Sequence, residues 1–233
     1  MQPTSSSIDF AGALSASTSN IPILFENRCV IVVDKPAGWL SVPSRIGDAD
    51  ERPCVGRVLQ ATHQQQLWPT HRLDQEVTGL LIFAKDAASH RRLNDAFANK
   101  TIHKTYRARS QGVTPGDAQL GRTVQWECKL LRGKKRAYLH GAGKLSVTRA
   151  TLLHVAPDVL EWELQPLTGR PHQLRVELSR RGCPIIGDVL YGARPAASFE
   201  PGIALRAVQI ELTSELAAAL EMPAMLRAPK TWT

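Results

Sequence analysis

Polar residues run directly into an apolar strand in the segment His71-Arg72-Leu73-Asp74-Gln75-Glu76-Val77-Thr78-Gly79-Leu80-Leu81-Ile82-Phe83-Ala84. The unbroken apolar run from Gly79 to Ala84 predicts a strand that is buried on both faces of a sheet. Asp74 therefore precedes a core strand, where a carboxylate can be held in place and still be reached from solvent. An ordinary turn or capping aspartate is the alternative interpretation.

Short strands and helices are predicted on both sides of this segment. Predicted strands are residues 21–25, 29–33, 79–84, 104–110, 145–155 and 160–166, and predicted helices are residues 54–66, 86–100 and 171–181. The strands are β-branched, apolar or alternating runs, whereas the helices carry apolar residues at helical spacing or have Asp86 or Gly182 at their ends. This order of elements predicts an α+β fold with a mixed, mainly antiparallel sheet and flanking helices.

The middle of the chain is rich in Gly, Lys and Arg, and residues 112–144 are predicted to be irregular. Within them, Leu131-Arg132-Gly133-Lys134-Lys135-Arg136 predicts a mobile basic loop. A solvated run of charges without a binding role is the alternative.

The composition predicts one domain and a polyanionic partner. A chain of 233 residues that is 43% hydrophobic can bury one substantial core. Residues 21–233 are therefore expected to form a single domain, and residues 1–20, crowded with Ser, Thr and Ala, a flexible tail. The net charge of +8 favours a polyanion, although many basic proteins bind no nucleic acid.

The cysteines and the hydropathy pattern predict a cytoplasmic protein. The four cysteines stand far apart, which favours neither a disulfide framework nor a zinc ribbon and fits a reduced compartment; they are Cys29, Cys54, Cys128 and Cys183. Residues 1–20 lack the basic start and the apolar run of a signal peptide. No segment approaches the length of about 18 apolar residues that a membrane span needs.

Three separated motifs stand out along the chain. They are His71-Arg72-Leu73-Asp74 with Thr78-Gly79-Leu80, then Lys104-Thr105-Tyr106-Arg107-Ala108, then Leu167-Thr168-Gly169-Arg170-Pro171-His172-Gln173-Leu174-Arg175-Val176. These motifs resemble those of the RluA-type family of pseudouridine synthases. Two further segments are similar to family landmarks, namely Val33-Asp34-Lys35-Pro36-Ala37-Gly38 and Pro184-Ile185-Ile186-Gly187-Asp188 with Tyr191-Gly192. All five occur in the family's order. The sequence departs from the family pattern at Val77-Thr78, Glu177 and Arg206.

The resemblance implies a catalytic domain over residues 21–233, with a central RNA-binding cleft, that isomerises uridines of ribosomal or transfer RNA to pseudouridine. By the same resemblance, Asp74 is the essential carboxylate, Tyr106 lies against the target base, and Arg175 pairs with Asp74 and keeps it ionised. No cofactor and no metal are expected, because the reaction adds and removes nothing.

Further residues are expected to bind the RNA. A stacked uridine must be flipped out of the RNA, and the resemblance implies that Arg72 fills the vacated position. His71 and His172 are expected to organise the site by hydrogen bonding. Phosphate contacts are predicted for Lys35, Arg45, Arg107, Arg170 and the loop 132–136. The expected partner is a stem-loop of structured RNA, bound by a monomer, with no membrane involved.

Two other functions are compatible with parts of this pattern. The chain could be an RNA-binding or RNA-folding protein that retains the fold without depending on catalysis. It could also be an unrelated hydrolase with Asp74 as nucleophile and His172 as base. The hydrolase hypothesis leaves the Lys104–Ala108 and Lys35-Pro36 motifs unexplained.

Overall fold

A computed structural model describes residues 21–199 and 201–229 of the chain, so the predicted tail at residues 1–20 lies outside the described residues. The strands are β1 (Ile23–Glu26), β2 (Val30–Lys35), β3 (Trp68–Pro69), β4 (Thr78–Ala84), β5 (His103–Ser110), β6 (Thr123–Arg132), β7 (Ala137–Leu139), β8 (Lys144–Ala156), β9 (Val159–Pro166), β10 (Leu205–Glu211) and β11 (Met225–Arg227). The helices are α1 (Val55–His63), α2 (Ala87–Ala98), α3 (Gln173–Ser179) and α4 (Ser214–Ala219).

The strands form one 11-stranded sheet with the order β1-β2-β4-β10-β5-β9-β8-β6-β7, to which β3 and β11 are added beside β4 and β10. Every pairing is antiparallel except that of β10 with β4. The predicted α+β fold with a mixed, mainly antiparallel sheet is confirmed. Strand β10, which comes late in the sequence, lies between β4 and β5. Asp74 lies just before β4, and Tyr106 lies within β5.

The apolar run of β4 is buried on both faces, as its composition predicts. Leu80 and Ile82 pack with Leu93 of α2 in one core cluster. Leu81 and Phe83 point the other way, because successive side chains of a strand alternate, and they pack against α1 in a second cluster. Helices on both sides therefore hold this strand, and with it the segment that carries Asp74.

Gly79 permits the close approach of β4 to β10. A Cβ atom at Gly79 would lie 2.2 Å from the carbonyl oxygen of Ala207, and its φ of +110° is one that favours glycine. The parallel pairing of β4 with β10 starts at this contact, with Thr78 opposite Arg206 and Gly79 opposite Ala207. A side chain at this position would push the two central strands apart.

The other half of the sheet has its own core, formed by β5, β9, β8 and β6 with α3. Trp126 and Trp162 are its largest members, with ring centroids 5.3 Å apart. Leu174 and Leu178 of α3 pack into the same cluster. Helix α3, which carries Arg175, is thereby fixed to the sheet.

Most predicted elements are confirmed within one to three residues at their ends. The hairpin of β8 and β9 turns at the predicted Pro157-Asp158, and Asp86 caps α2 by accepting a hydrogen bond from the Ser89 amide at 2.8 Å. The prediction that residues 112–144 are irregular is wrong, because they contain β6 and β7. Side chains of β6 alternate between exposed and buried, with Trp126 and Leu130 pointing inward.

None of the helices in the two described ranges is long and apolar enough to cross a bilayer.

Candidate active site

A cleft of about 710 Å³ collects the three predicted motifs on one surface. Its walls come from the segment before β4, from β5, from the segment leading into α3, and from the turn between β6 and β7. Asp74, Tyr106 and Arg175 all line it. Segments that are distant in the sequence therefore meet at one site, as the motifs predicted.

Arg175 forms the ionic centre of the site. Its side chain is 2% exposed, and its Nη1 atom lies 3.3 Å from Asp74 Oδ2 and 3.2 Å from Glu76 Oε2. Its Nε and Nη2 atoms donate to the two oxygens of Asp188, each at 2.8 Å. Burial opposes the charge of Arg175, but the hydrogen bonds that it donates to Asp188 and the charges of Asp188, Glu76 and Asp74 outweigh burial and raise its pKa. Arg175 thus stays charged beside Asp74.

Two buried side chains hold the backbone around Asp74. The Ser41 hydroxyl donates to the carbonyl oxygen of Leu73 at 2.9 Å and accepts from the Leu73 amide at 3.0 Å. On the other side of Asp74, the Lys35 ammonium donates to the carbonyl oxygen of Gln75 at 3.0 Å. The backbone is therefore anchored at both neighbours of Asp74, Leu73 and Gln75, while the side chain of Asp74 remains 32% exposed to the cleft.

Lys35 is fully buried, so the structure contradicts its predicted phosphate contact. The residue is 0% exposed, and its ammonium also donates to the carbonyl oxygens of Pro36 at 2.8 Å and Trp39 at 2.7 Å. Burial lowers the pKa of Lys35, whereas three carbonyl acceptors favour the charged form. All three of its N–H donors are used inside the protein, so Lys35 stabilises the Asp74 segment.

Tyr106 contributes an aromatic surface to the cleft. It lies in β5, is 8% exposed, and belongs to both the core and the cleft wall. Burial and the charge of Asp74 raise the pKa of Tyr106, so its hydroxyl stays protonated. A flat base that enters the cleft can contact this ring beside the Asp74 carboxylate.

His71 supports the site through the backbone of β4. Its Nε2 atom accepts a hydrogen bond from the Ile82 amide at 3.1 Å, and its ring lies 5.0 Å from that of Phe97. Burial and the neighbouring Lys104 lower the pKa of His71 to about 3. A neutral His71 is what this hydrogen bond requires, because a protonated ring nitrogen cannot accept.

His172 approaches Asp74 from the start of α3. Its Nε2 atom lies 4.0 Å from Asp74 Oδ2, and its Nδ1 atom lies 2.9 Å from the hydroxyl of Tyr191. Burial is the main cause that lowers the pKa of His172, and Arg175 adds to it. Both predicted histidines therefore make hydrogen bonds at the site.

Cations line the cleft. Arg72 is exposed there, Arg170 donates from Nε to the carbonyl oxygen of Leu145 at 2.8 Å, and Lys104 is half-buried two positions before Tyr106 on the same face of β5. Residues 132–136, which we call the basic turn, join β6 to β7 and line the cleft as well. Arg45 is exposed beside the basic turn, where the two border a smaller hollow.

Arg107 does not line the cleft, and its phosphate contact stays a prediction. It follows Tyr106 in β5 and therefore points to the opposite face of the sheet. Its Nη2 atom pairs with Glu163 of β9 at 3.0 Å.

Glu76, Lys104, Asp188 and Tyr191 belong to the site but were not predicted to act there. Each stands inside a quoted motif or landmark, but no role was predicted for any of them. Glu76 and Asp188 share Arg175, and Tyr191 contacts His172. Their positions within the family-like segments were the one signal that could have identified them.

Comparison with known proteins gives one consistent result. The family model for RNA pseudouridylate synthase matches residues 29–180. The chain is 32% identical to the dual-specificity RNA pseudouridine synthase RluA of Salmonella typhi over 192 residues, which cover 82% of this chain and 86% of that protein. It is 31% identical to RluA of Escherichia coli strain K12, with the same coverage.

A solved structure shares the fold. The human RNA pseudouridylate synthase domain containing 1 protein matches with a TM-score of 0.69 and 22% identity, over 92% of this chain and 85% of that chain. At this identity the likeness supports the fold alone.

Proposed function

Because the chain belongs to the RNA pseudouridylate synthase family, we propose that it isomerises uridine to pseudouridine in structured RNA, with Asp74 as the essential carboxylate. The observation that carries this proposal is the meeting of Asp74, Tyr106 and Arg175 at one cleft. Arg175 keeps a positive charge beside the partly exposed carboxylate, and Tyr106 provides a flat apolar surface for the base.

The reaction makes a specific demand on the site. The bond between uracil N1 and ribose C1′ breaks, the base turns, and a bond from C5 to C1′ replaces it, while C5 loses a proton and N1 gains one. A carboxylate serves this reaction as a nucleophile or as the base that removes a sugar proton, and both routes require it to be ionised. The Arg175 contact at 3.3 Å supports the ionised form of Asp74.

The RNA is proposed to enter as a stem-loop of ribosomal or transfer RNA. Loop bases can be splayed out at small cost, and a flipped uridine reaches the cleft after unstacking that costs a few kcal/mol. Arg72, exposed at the cleft, is proposed to occupy the vacated position. Arg170, Arg45 and the basic turn supply positive charge for the phosphates.

Tritium release tests the proposal. Total RNA labelled with tritium at carbon five of uracil is prepared from cells that lack this gene and is incubated with the pure protein. We expect the wild type to release label to water and Asp74→Asn to release none. Asp95→Asn is the matched control, because Asp95 is an exposed carboxylate on α2 outside the cleft.

The alternative of a catalytically silent RNA-binding protein predicts the opposite result. It predicts that the wild type binds the labelled RNA and releases no tritium above the level of Asp74→Asn. The same RNA therefore distinguishes the two functions when binding and release are measured side by side.

The oligomeric state and the location in the cell stay predictions. A monomer is expected, and light scattering coupled to size-exclusion chromatography measures it. The expected cytoplasmic location is measured by fractionation of cells that carry a tagged full-length chain.

A further inference from the structure

The side chain of Tyr191 joins two parts of the cleft that are distant in the sequence. Tyr191 ends a short 3-10 turn, Val189–Tyr191, and is 8% exposed. Its hydroxyl accepts from the Ala137 amide at 2.9 Å and lies 3.1 Å from the Ala137 carbonyl oxygen. The same hydroxyl lies 2.9 Å from His172 Nδ1. One polar atom thus contacts both a strand and the segment that leads into α3.

The strand end held by Tyr191 is the end of the basic turn. Ala137 directly follows residues 132–136 and begins β7, which is three residues long and lies at the edge of the sheet. Such a short edge strand has few other bonds to fix it. Because both backbone polar groups of Ala137 meet the Tyr191 hydroxyl, the position of the basic turn is tied to that hydroxyl.

His172, the other contact of this hydroxyl, has an unfavourable backbone conformation. Its φ is +52° and its ψ is 22°, a left-handed conformation that is uncommon for residues other than glycine. Such a conformation persists where surrounding contacts enforce it. The hydrogen bond to Tyr191 is one of these contacts, and it directs His172 Nε2 to within 4.0 Å of Asp74 Oδ2.

The aromatic ring of Tyr191 has a separate role. It lies under the Arg175 guanidinium, with 5.2 Å between the guanidinium carbon and the ring centroid. Replacing Tyr191 by Phe retains this ring and removes only the hydroxyl, so the contacts to Ala137 and His172 can be tested without disturbing Arg175.

We propose that Tyr191 is a positioning residue that couples RNA contacts of the basic turn to the placement of His172 and Asp74. When phosphates fix the basic turn, Ala137 is fixed with it, and the Tyr191 hydroxyl transmits that position to the His172 ring. This inference rests on the proposed function. The inference goes beyond that function because it assigns the coupling between RNA binding and the reaction to the hydroxyl group of Tyr191.

A double-mutant cycle tests the coupling. The substrate is a transcript of the stem-loop around a uridine that the wild-type protein modifies in total RNA. The variants are Tyr191→Phe, a neutral turn that combines Lys134→Ala with Lys135→Ala, and all three changes together. Single-turnover rate constants at saturating RNA and dissociation constants are measured for each protein.

The expected result is a loss of coupling in the Phe background. Tyr191→Phe lowers the rate constant about tenfold and changes the dissociation constant less than about twofold. The neutral turn lowers the saturated rate constant about fivefold in the wild type and less than about twofold in Tyr191→Phe. The inference would be overturned if the effects of Tyr191→Phe and of the neutral turn on the rate constant multiply as independent effects do. An unchanged rate constant in Tyr191→Phe would also overturn it.

Two controls separate this result from simpler ones. Tyr138→Phe removes an exposed hydroxyl from the same strand, outside the cleft, and is expected to retain the wild-type rate. If Tyr191→Phe unfolds in the assay, the cycle is run with His172→Ala, which removes the hydrogen bond between His172 and Tyr191 from the other side. If the wild type itself forms no pseudouridine, the proposed function fails rather than the coupling.

Discussion

Arg175 donates two parallel hydrogen bonds, from Nε and Nη2, to the carboxylate of Asp188, each at 2.8 Å. Both side chains are almost fully buried, at 2% and 1% exposure. This pairing uses one edge of the guanidinium and leaves Nη1 for Asp74. Asp188 therefore sets the direction in which Arg175 presents its charge to the cleft.

The first prediction concerns the shape of the Arg175 side chain. Arg175→Lys retains a positive charge but loses the planar fork, so it cannot bond to Asp188 through two atoms and still reach Asp74. We expect pseudouridine formation to fall about 100-fold or more. The matched control is Arg180→Lys, which changes a partly exposed arginine at the end of α3 and should leave the rate within about twofold. A near-normal rate for Arg175→Lys would contradict the role of the fork.

The second prediction concerns stability at acidic pH. His71 has its pKa lowered to about 3 in the folded chain, against 6.5 ordinarily. Between these values the unfolded chain binds a proton at His71 that the folded chain excludes. The free energy of unfolding should therefore fall as the pH drops below about 6.5, by about 3 kcal/mol at pH 4.5, and His71 should have no effect above that window.

His71→Gln is the variant that isolates this effect. Its amide oxygen can accept the hydrogen bond from the Ile82 amide and does not titrate. Urea unfolding at a series of pH values should show a smaller loss of stability on acidification in His71→Gln than in the wild type. Parallel curves for the two proteins would mean that His71 is not kept neutral by the fold.

The third prediction concerns Lys104. This half-buried lysine lines the cleft 5.6 Å from the Phe97 ring centroid, and no carboxylate among the described residues pairs with it. Burial lowers the pKa of Lys104. A phosphate that enters the cleft would favour the charged form of Lys104, and no carboxylate would compete for it. Lys104→Met should reduce the slope of log Kd against log salt concentration by about 0.7 to 0.9.

Lys129→Met is the control for this measurement. Lys129 is an exposed lysine of β6, on the face opposite to Cys128 and Leu130 and outside the cleft. It removes the same charge from the protein, and its salt slope should match that of the wild type. Equal slopes for all three proteins would exclude a phosphate contact of Lys104.

The fourth prediction concerns Arg72. If Arg72 fills the position that the flipped uridine leaves, its contribution depends on the stacking that must be broken. Arg72→Ala should therefore slow the reaction about tenfold on a folded stem-loop. On the same uridine in an RNA whose stem cannot form, the loss should be smaller. Equal losses on both RNAs would indicate a simple phosphate contact instead.

The features that were predicted from the sequence are those that depend on the type of residue at a position. Asp74, Tyr106 and Arg175 were identified because three short motifs resemble those of a known family, and the structure brings them to one cleft. The strand β4 was predicted because continuous apolar residues have few other folded environments. These features depend on local residue type, which a single sequence records.

Features that depend on the direction of a side chain were not predicted. Lys35 was expected on a phosphate because it is a lysine in a family-like motif, but its burial results from the packing of the Asp74 segment over it. Arg107 was expected there too, but strand alternation points it away from Tyr106. Strand β6 was missed because glycines and basic residues on both sides obscured the alternation around Trp126.

Two departures from the family pattern are accounted for within the fold. Glu177 is fully buried, accepts from the Cys128 thiol at 2.9 Å, and pairs with Arg180 at 2.9 Å. Arg206 is buried and pairs with Asp34 of β2. Neither residue lines the cleft, so neither difference changes a side chain that faces it.

The requirement for the Asp74 carboxylate is tested most directly by mapping pseudouridines in cells that lack this gene and carry either the wild-type chain or Asp74→Asn. The two proteins are produced at equal levels, and the positions missing from the deletion strain are compared. We predict that the wild type restores pseudouridine at one or more positions and that Asp74→Asn restores none. Restoration of the same positions by Asp74→Asn would contradict the account.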